Sequence, residues 1–254
     1  MSDEVLYERR GAAAWVTINR PEARNALNRA VRERLFAATR RFNEDQDAAV
    51  MVLTGAGDAA FCAGGDLKEM AETELTVPPP DFVPQFQRNI QVDKPIIAAV
   101  NGVAFAGGFL LVQNADLVIA SEQARFAVTE VKVGRGSPWS APLPWWIPPK
   151  VALELVLTGD AISAQRAYEI GFVNHVVPAA DLHDRAQALA DRIAANAPLS
   201  VRAAKAVVYA SRERHLSDAL DESERIFASV YLSDDAQEGP RAFREKRTPE
   251  WKGR

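Results

Sequence analysis

The chain of 254 residues reads as an α/β protein built on a parallel sheet with a helical carboxyl-terminal third. Three observations predict this. Short apolar strands alternate with helical segments through the first half, and alternation of that kind argues for parallel strands covered on their faces. Two glycine-rich segments, Phe61 to Asp66 and Asn101 to Gly108, each lie between an apolar strand and a helix. After Val177 the strand signals give way to helices.

Val5 to Arg20 reads as two short strands around Gly11, and Pro21 to Asn25 interrupts the run before Asn28, which can cap a helix reaching about Phe42. Val50 to Thr54 is a buried strand, Gly55 to Gly65 is rich in glycine, and a helix runs from Asp66 to about Ala71. Thr73 to Pro84 holds four prolines with little periodicity, so it continues neither a helix nor a central strand. It is either a mobile flap or a plain surface loop. Pro95 to Val100 is the next strand, Asn101 to Gly108 the second glycine-rich turn, Phe109 to Asn114 an apolar helix, and Leu117 to Ala120 a third strand. Helices are then expected over Asp181 to Ala195, Pro198 to Ser211, Leu216 to Leu232 and Ala236 to Lys246. This divides the chain into a core over 1–195 and a helical region over 196–254. There is no repeat of solenoid period and no low-complexity tract.

Composition narrows the classes of function. The chain is 48% hydrophobic and 25% charged with a formal net charge of −4, which gives no reason to expect a nucleic-acid partner. Cys62 is the single cysteine, so no intrachain disulfide can form and no zinc knuckle is available. That suits a reducing cytoplasm. Met1 to Arg10 has no apolar core of a signal peptide, and the longest apolar runs fall short of a membrane span. His175, His183 and His215 have no zinc-binding spacing and lie beside neither glycine turn, so no metal site is expected.

The two glycine turns are where chemistry is expected. Ligands of open parallel sheets bind beyond the carboxyl ends of strands, and glycine there admits close approach to backbone N–H groups. At a helix start those amides carry partial positive charge, which suits a developing oxyanion. Phosphate would suit them too. Against it, no Lys-Ser/Thr pair follows Gly107 or Gly108, and no G-x-G-x-x-G opens a helix with an acidic residue downstream.

Asn19-Arg20-Pro21 with Asn25-Ala26-Leu27, Phe61-Cys62-Ala63-Gly64-Gly65-Asp66-Leu67, Lys94-Pro95 through Asn101-Gly102, Gly107-Gly108 and Leu157-Thr158-Gly159-Asp160 occur in this order. With Gly171-Phe172-Val173 and Val176-Val177-Pro178 they make nearly the whole chain resemble the crotonase (enoyl-CoA hydratase/isomerase) superfamily. The resemblance implies a spiral of ββα units, a helical trimerisation region at the carboxyl terminus, and a trimer or dimer of trimers. It also implies acyl-CoA thioester chemistry, as in fatty acid metabolism, with no cofactor beyond the coenzyme A of the substrate itself. Gly65 and Gly107 then correspond to the amides that hold the thioester oxygen. Coenzyme A would lie along Arg24, Ala26 and Leu27 and the turn carrying Ala63, Asp66 and Leu67, with Lys246 reaching a phosphate from a neighbouring subunit. Arg244, Lys246 and Arg247 could equally solvate a helix end.

Family hydratases use two glutamates, and the first would lie three residues beyond Gly107, where this sequence has Leu110. Leucine moves no proton, so the two-glutamate hydratase mechanism is not expected. The second position falls on Glu130, which is present. A lone base can remove a proton from one carbon of a stabilised enolate and return it at another, so isomerase or lyase chemistry is favoured. The alternatives are hydration or hydrolysis with another acid, or an acyl-CoA-binding protein without catalysis. Glu130 could otherwise be a surface carboxylate balanced by Lys132 or Arg135, and Leu110 a core residue facing away from the ligand. Trp139, Trp145 and Trp146 follow, either as an apolar wall of the acyl pocket, with Trp139 touching substrate, or as core and subunit-contact material. Arg135 could tune Glu130 or meet an acidic acyl tail, Cys62 is expected to be a small buried residue, and Asp66 could cap the following helix.

Overall fold

The computed structural model describes residues 3–254; Met1 and Ser2, part of the amino-terminal segment read above, lie outside the described residues. A six-stranded sheet forms the spine. Its opening hairpin is β1 (Val5–Arg10) against β2 (Ala13–Ile18), antiparallel, with Val5 opposite Ile18. Asn28 then caps α1 (Arg29–Glu44), its side chain accepting from Val31 N–H at 2.9 Å. β3 (Val50–Gly55) pairs in parallel with β2.

Two short elements follow, β4 (Ala60–Cys62) and α2 (Leu67–Glu72). Next come β5 (Ile96–Val100), β6 (Val103–Phe105), α3 (Gly107–Asn114), β7 (Leu117–Ser121) and β8 (Arg125–Ala127). α4 (Leu143–Trp146), α5 (Pro149–Thr158), β9 (Ile162–Ser163), α6 (Ala164–Glu169) and β10 (His175–Val177) complete the sheets. The spine has the order β1-β2-β3-β5-β7-β10, parallel from β2 onward, and a second sheet has the order β4-β6-β8-β9. The sequence reading contained the strands of the spine as far as β7. It did not contain β10, the extra edge strand, nor the second sheet, two of whose strands lie inside the segments read as glycine turns.

The central strands are apolar on both faces because both faces are covered. Met51, Leu53, Ile96 and Ala98 point with α1 and α3 into the larger core, where Val31, Leu35 and Phe42 are buried. The alternate residues Val50, Val52, Ile97 and Ala99 meet Leu182, Ala186 and Ala190 of α7 (Leu182–Ala194). Period-two alternation along one strand thus serves two different helical layers.

α8 (Pro198–Ala210) is fastened to the spine by a buried cluster. Lys205 Nζ lies 2.8 Å from Asp116, Tyr209 donates to the other oxygen of Asp116 at 2.8 Å, and Lys205 also donates to the Lys94 carbonyl. Every polar atom named there is partnered, which is the condition for burying charge. α9 (Leu216–Tyr231) packs on α8, and α10 (Asp234–Glu245) follows. Leu216, Leu220, Tyr231, Leu232 and Phe243 of this region are exposed. Among the described residues no helix is long and apolar enough to cross a membrane.

Candidate active site

The second sheet brings the two glycine turns together. β4 and β6 are parallel neighbours, with Cys62 opposite Ala104, so their carboxyl ends deliver Ala63-Gly64-Gly65 and Ala106-Gly107 side by side. Asn25 and Asn101 tie down the chain that leads in: Asn25 Nδ2 donates to the Ala60 carbonyl at 2.7 Å and Asn101 Nδ2 to the same carbonyl at 3.0 Å. Leu27 N–H donates to the Gly64 carbonyl at 2.8 Å. Gly64 stands at φ 98°, and a Cβ on it would lie 2.7 Å from Ala106 Cβ and 3.3 Å from Gly107 N. Only glycine meets both demands.

A Cβ on Gly107 would sit 3.8 Å from Gly65 N, so the two expected oxyanion residues border the same small space. Among the described residues neither Gly65 N–H nor Gly107 N–H donates to a protein acceptor. Gly107 is also the first residue of α3, where the helix leaves its N–H groups unpaired and partially positive. Ala106 immediately before it stands at φ 49°, ψ −118°, a conformation that L-residues avoid.

Both turns open on a cleft of about 600 Å³. Gly65, Gly107, Glu130, Leu27, Ala63, Leu67, Leu110 and Trp139 all line it, together with Met70 from α2 and residues 76–80, 82 and 83 of the proline-rich segment. That segment is therefore a wall of the cleft. Asn89 Nδ2 holds it through the Pro80 and Val83 carbonyls at 2.8 and 2.9 Å, and Arg135 donates to the Leu75 and Thr76 carbonyls at 2.7 and 3.0 Å.

Glu130 opens a 3-10 turn, Glu130–Val133, after β8 and is buried. Trp139 Nε1 donates to its Oε1 at 3.1 Å, while the buried Oε2 has no protein partner. Desolvation raises its pKa above the ordinary carboxylate range, and the hydrogen bonds from its own backbone N–H and from Trp139 oppose the rise. Neither expected balancing cation is its partner, since Lys132 pairs with Asp160 at 2.7 Å and Arg135 holds the loop carbonyls. Among the described residues Glu130 is the one carboxylate that lines the cleft. Leu110, one helical turn beyond Gly107, faces the cleft rather than away from it.

Four expected contact residues lie elsewhere. Arg24 is exposed with left-handed backbone, and its carbonyl accepts from Ala63 N–H. The Ala26 carbonyl accepts from Arg20, and Asp66 both caps α2 and pairs with Arg20 at 3.2 Å. Lys246 is exposed at the end of α10 and does not line this chain's cleft. The expected three-tryptophan wall reduces to Trp139. Trp145 is exposed, and Trp146 is half-buried against the main core and stacks under Arg212, so neither lines the cleft. Cys62 is fully buried, and desolvation pushes its thiol up to about 12. A thiol so held is no nucleophile near neutrality. His183 packs edge-on against Trp15, and His175 contacts Arg185.

Met70, Phe82 and Ala106 line the cleft without having been singled out from sequence. Met70 follows Leu67 by three positions and shares its helix face, a signal that was readable. The backbone of Ala106 left no signal, since alanine does not announce a positive φ.

Over residues 8–254 the chain matches the model of the enoyl-CoA hydratase/isomerase family, and it belongs to that family of acyl-CoA-processing enzymes. It is 39% identical to a carnitinyl-CoA dehydratase of Proteus mirabilis, the match covering 100% of both chains. Among solved structures it is similar to an enoyl-CoA hydratase from Mycobacterium marinum, with 40% identity, complete coverage of both chains and a TM-score of 0.93. An enoyl-CoA hydratase from Mycobacterium tuberculosis gives 38% identity, complete coverage and a TM-score of 0.89. The crotonase-like α/β fold expected from sequence is thus the fold of this chain.

Proposed function

We propose that the enzyme moves a proton on the acyl chain of a CoA thioester through an enolate whose charge rests on the N–H groups of Gly65 and Gly107, with Glu130 as its one acid–base group. The carrying observation is the pairing of a single carboxylate, one oxygen of which has no protein partner, with two unpartnered amides on one cleft. Binding the thioester oxygen between two fixed donors lowers the cost of the α-carbanion, and a base whose pKa is raised by desolvation suits proton transfer near neutrality. Glu130 takes a proton from the acyl chain and returns it at another carbon, which is isomerisation. The reading calls on no metal or redox group.

A second reading is favoured by the name of the Proteus mirabilis relative. In it Glu130 removes the α-proton of a β-hydroxyacyl thioester and passes it to the departing hydroxyl, so that water leaves and an enoyl thioester forms, a lyase reaction. Its reverse is hydration. Leu110 argues that neither direction uses a second carboxylate from α3. A panel of enoyl-CoA esters in heavy-oxygen water separates the readings: label in the product marks hydration or hydrolysis, and its absence marks isomerisation. E130Q is expected to abolish turnover while acyl-CoA binding persists, and full activity in E130Q would remove Glu130 from the mechanism.

The coenzyme moiety would follow the Arg24–Leu27 segment and the Ala63–Leu67 turn, leaving the cleft where Leu27, Ala63 and Leu67 line it, with Lys246 reaching it from a neighbouring subunit. Residues 196–254 would form the contacts of a trimer or dimer of trimers, for which the exposed Leu216, Leu220, Tyr231, Leu232 and Phe243 supply apolar surface. A reducing cytoplasm suits the buried free thiol of Cys62.

A further inference from the structure

The oxyanion turn and the base come from different segments, and a proton-transfer site needs their relative position fixed to within a fraction of an ångström. Helix α3 supplies a fixed frame. It begins at Gly107, and six residues on its Gln113 Nε2 donates to the Trp139 carbonyl at 2.9 Å in the buried interior. Between them Phe109 packs its ring against Trp139 with centroids 5.9 Å apart. Trp139 in turn donates its indole N–H to Glu130 Oε1. A continuous path of two hydrogen bonds and one aromatic contact therefore joins the helix that carries one oxyanion amide to the carboxylate.

We propose that Trp139 is a positioning residue, whose indole N–H fixes Oε1 of Glu130 and so presents Oε2 as the proton-transferring oxygen, in register with Gly107 through helix α3. This rests on Glu130 being the base. Without the indole bond only the hydrogen bond from its own backbone N–H restrains the carboxylate, which could then rotate and exchange its two oxygens, because the cationic side chains of the cleft are engaged elsewhere. Lys132 is paired with Asp160, Arg135 with the Leu75 and Thr76 carbonyls, and Arg88 across the cleft with Gln85 Oε1 at 2.9 Å. Trp139 is thus more than a wall of the acyl pocket. A plain apolar wall would be replaceable by any ring of similar size.

The bond also has an electrical consequence with a definite sign. An N–H aimed at a carboxylate favours the charged form, so its removal raises the pKa of the base and moves the acidic limb of the rate profile to higher pH.

The test measures exchange of the α-protons of butyryl-CoA in deuterated water by mass spectrometry across pH, in wild type, E130Q, W139F and W139H. W139F keeps a ring but has no donor, and W139H restores a ring N–H. The expected result is that W139F loses about tenfold in exchange rate and shifts its acidic limb upward by about one pH unit, a change of size ordinary for a charge-assisted hydrogen bond. W139H should recover part of both, and the KM for butyryl-CoA should change less than kcat. If the W139F profile superimposes on that of wild type, or if the loss lies wholly in KM, Trp139 is a wall and the proposal is overturned. If E130Q still exchanges protons, the base assignment itself fails, a different result from the first. Should W139F not fold, replacement of Trp139 by benzothienylalanine, which has sulfur in place of the indole N–H and the same outline, gives the same readout: a slowed, shifted profile supports the positioning role, and an unchanged one overturns it.

Discussion

In the six-stranded sheet, β3 and β5 bury all of their residues, and each face meets a matching apolar layer. The four-stranded sheet is made of strands of two or three residues, and the structure places its irregularities at the ends of those strands. Ala106 takes a disfavoured conformation there, Gly64 and Gly107 admit contacts that a Cβ would block, and Glu130 Oε2 is buried without a partner. The six-stranded sheet has the satisfied, regular packing from which stability comes. The four-stranded sheet holds the exceptions, and exceptions persist where surrounding structure forces them and function uses them.

The contrast breaks most visibly at Glu130. E130Q is expected to lower kcat on the order of 10²- to 10⁴-fold, the range for loss of a general acid–base group. Stability should move the other way. Burial raises the folded pKa of Glu130 above its unfolded value, so the stability associated with the protonated carboxyl is present at low pH and is lost as pH rises through the folded pKa. Glutamine carries no such loss. Thermal melts should show E130Q at least as stable as wild type at neutral pH, with the difference vanishing toward the ordinary carboxylate range.

Ile97 supplies the opposite case. Its side chain is fully buried between the sheet and α7, and I97A removes three carbons from a packed layer. A loss of roughly 2–5 kcal/mol in unfolding free energy is expected. The kcat of the folded fraction should be nearly unchanged, since the residue lies on the face away from the cleft. If I97A lowers kcat as strongly as it lowers stability, the two sheets are not separable in this way.

Legibility in the sequence followed the same division. β2, β3, β5 and β7 were readable as apolar runs because burial on both faces leaves a continuous signal, and Asn28 and Asp66 were readable as caps because their chemistry is local. The glycine turns pointed to the site. The strands inside them were not readable, since three residues such as Ala60–Cys62 carry no period, and their pairing is a long-range fact. β10 escaped for a related reason: His175–Val177 is half-buried at the sheet edge and borders a loop on each side. Nearness in sequence said nothing about the separation of Trp139 from Trp145 and Trp146.

Smaller effects sharpen the picture at the rim of the cleft. Arg135 holds residues 75 and 76 by two carbonyls, so R135A should loosen one wall of the cleft without touching either glycine turn. The KM for an acyl-CoA should rise by about three- to tenfold, as expected for the loss of partly exposed bonds from a charged donor. The kcat should change less, and the melting temperature hardly at all. A fall in kcat with constant KM would mean instead that Arg135 acts on the reacting atoms.

The smallest effect concerns Ala106, where two influences on stability oppose each other. At φ 49° and ψ −118° the residue carries local strain of order 1–3 kcal/mol, which glycine would relieve. Glycine also gives the unfolded chain more freedom, which costs about 0.4–1 kcal/mol. Relief of strain outweighs that cost, so A106G should raise the unfolding free energy by about 1 kcal/mol and the melting temperature by about 2–4 °C. Activity should fall several-fold, because the Cβ that now packs toward Gly64 helps hold the Gly107 N–H in place. A variant that is both more stable and slower would show that the strain serves to aim the amide. One that is more stable and equally fast would leave Ala106 a bystander to the chemistry, and one that is less stable would put its Cβ among the packing groups of the core.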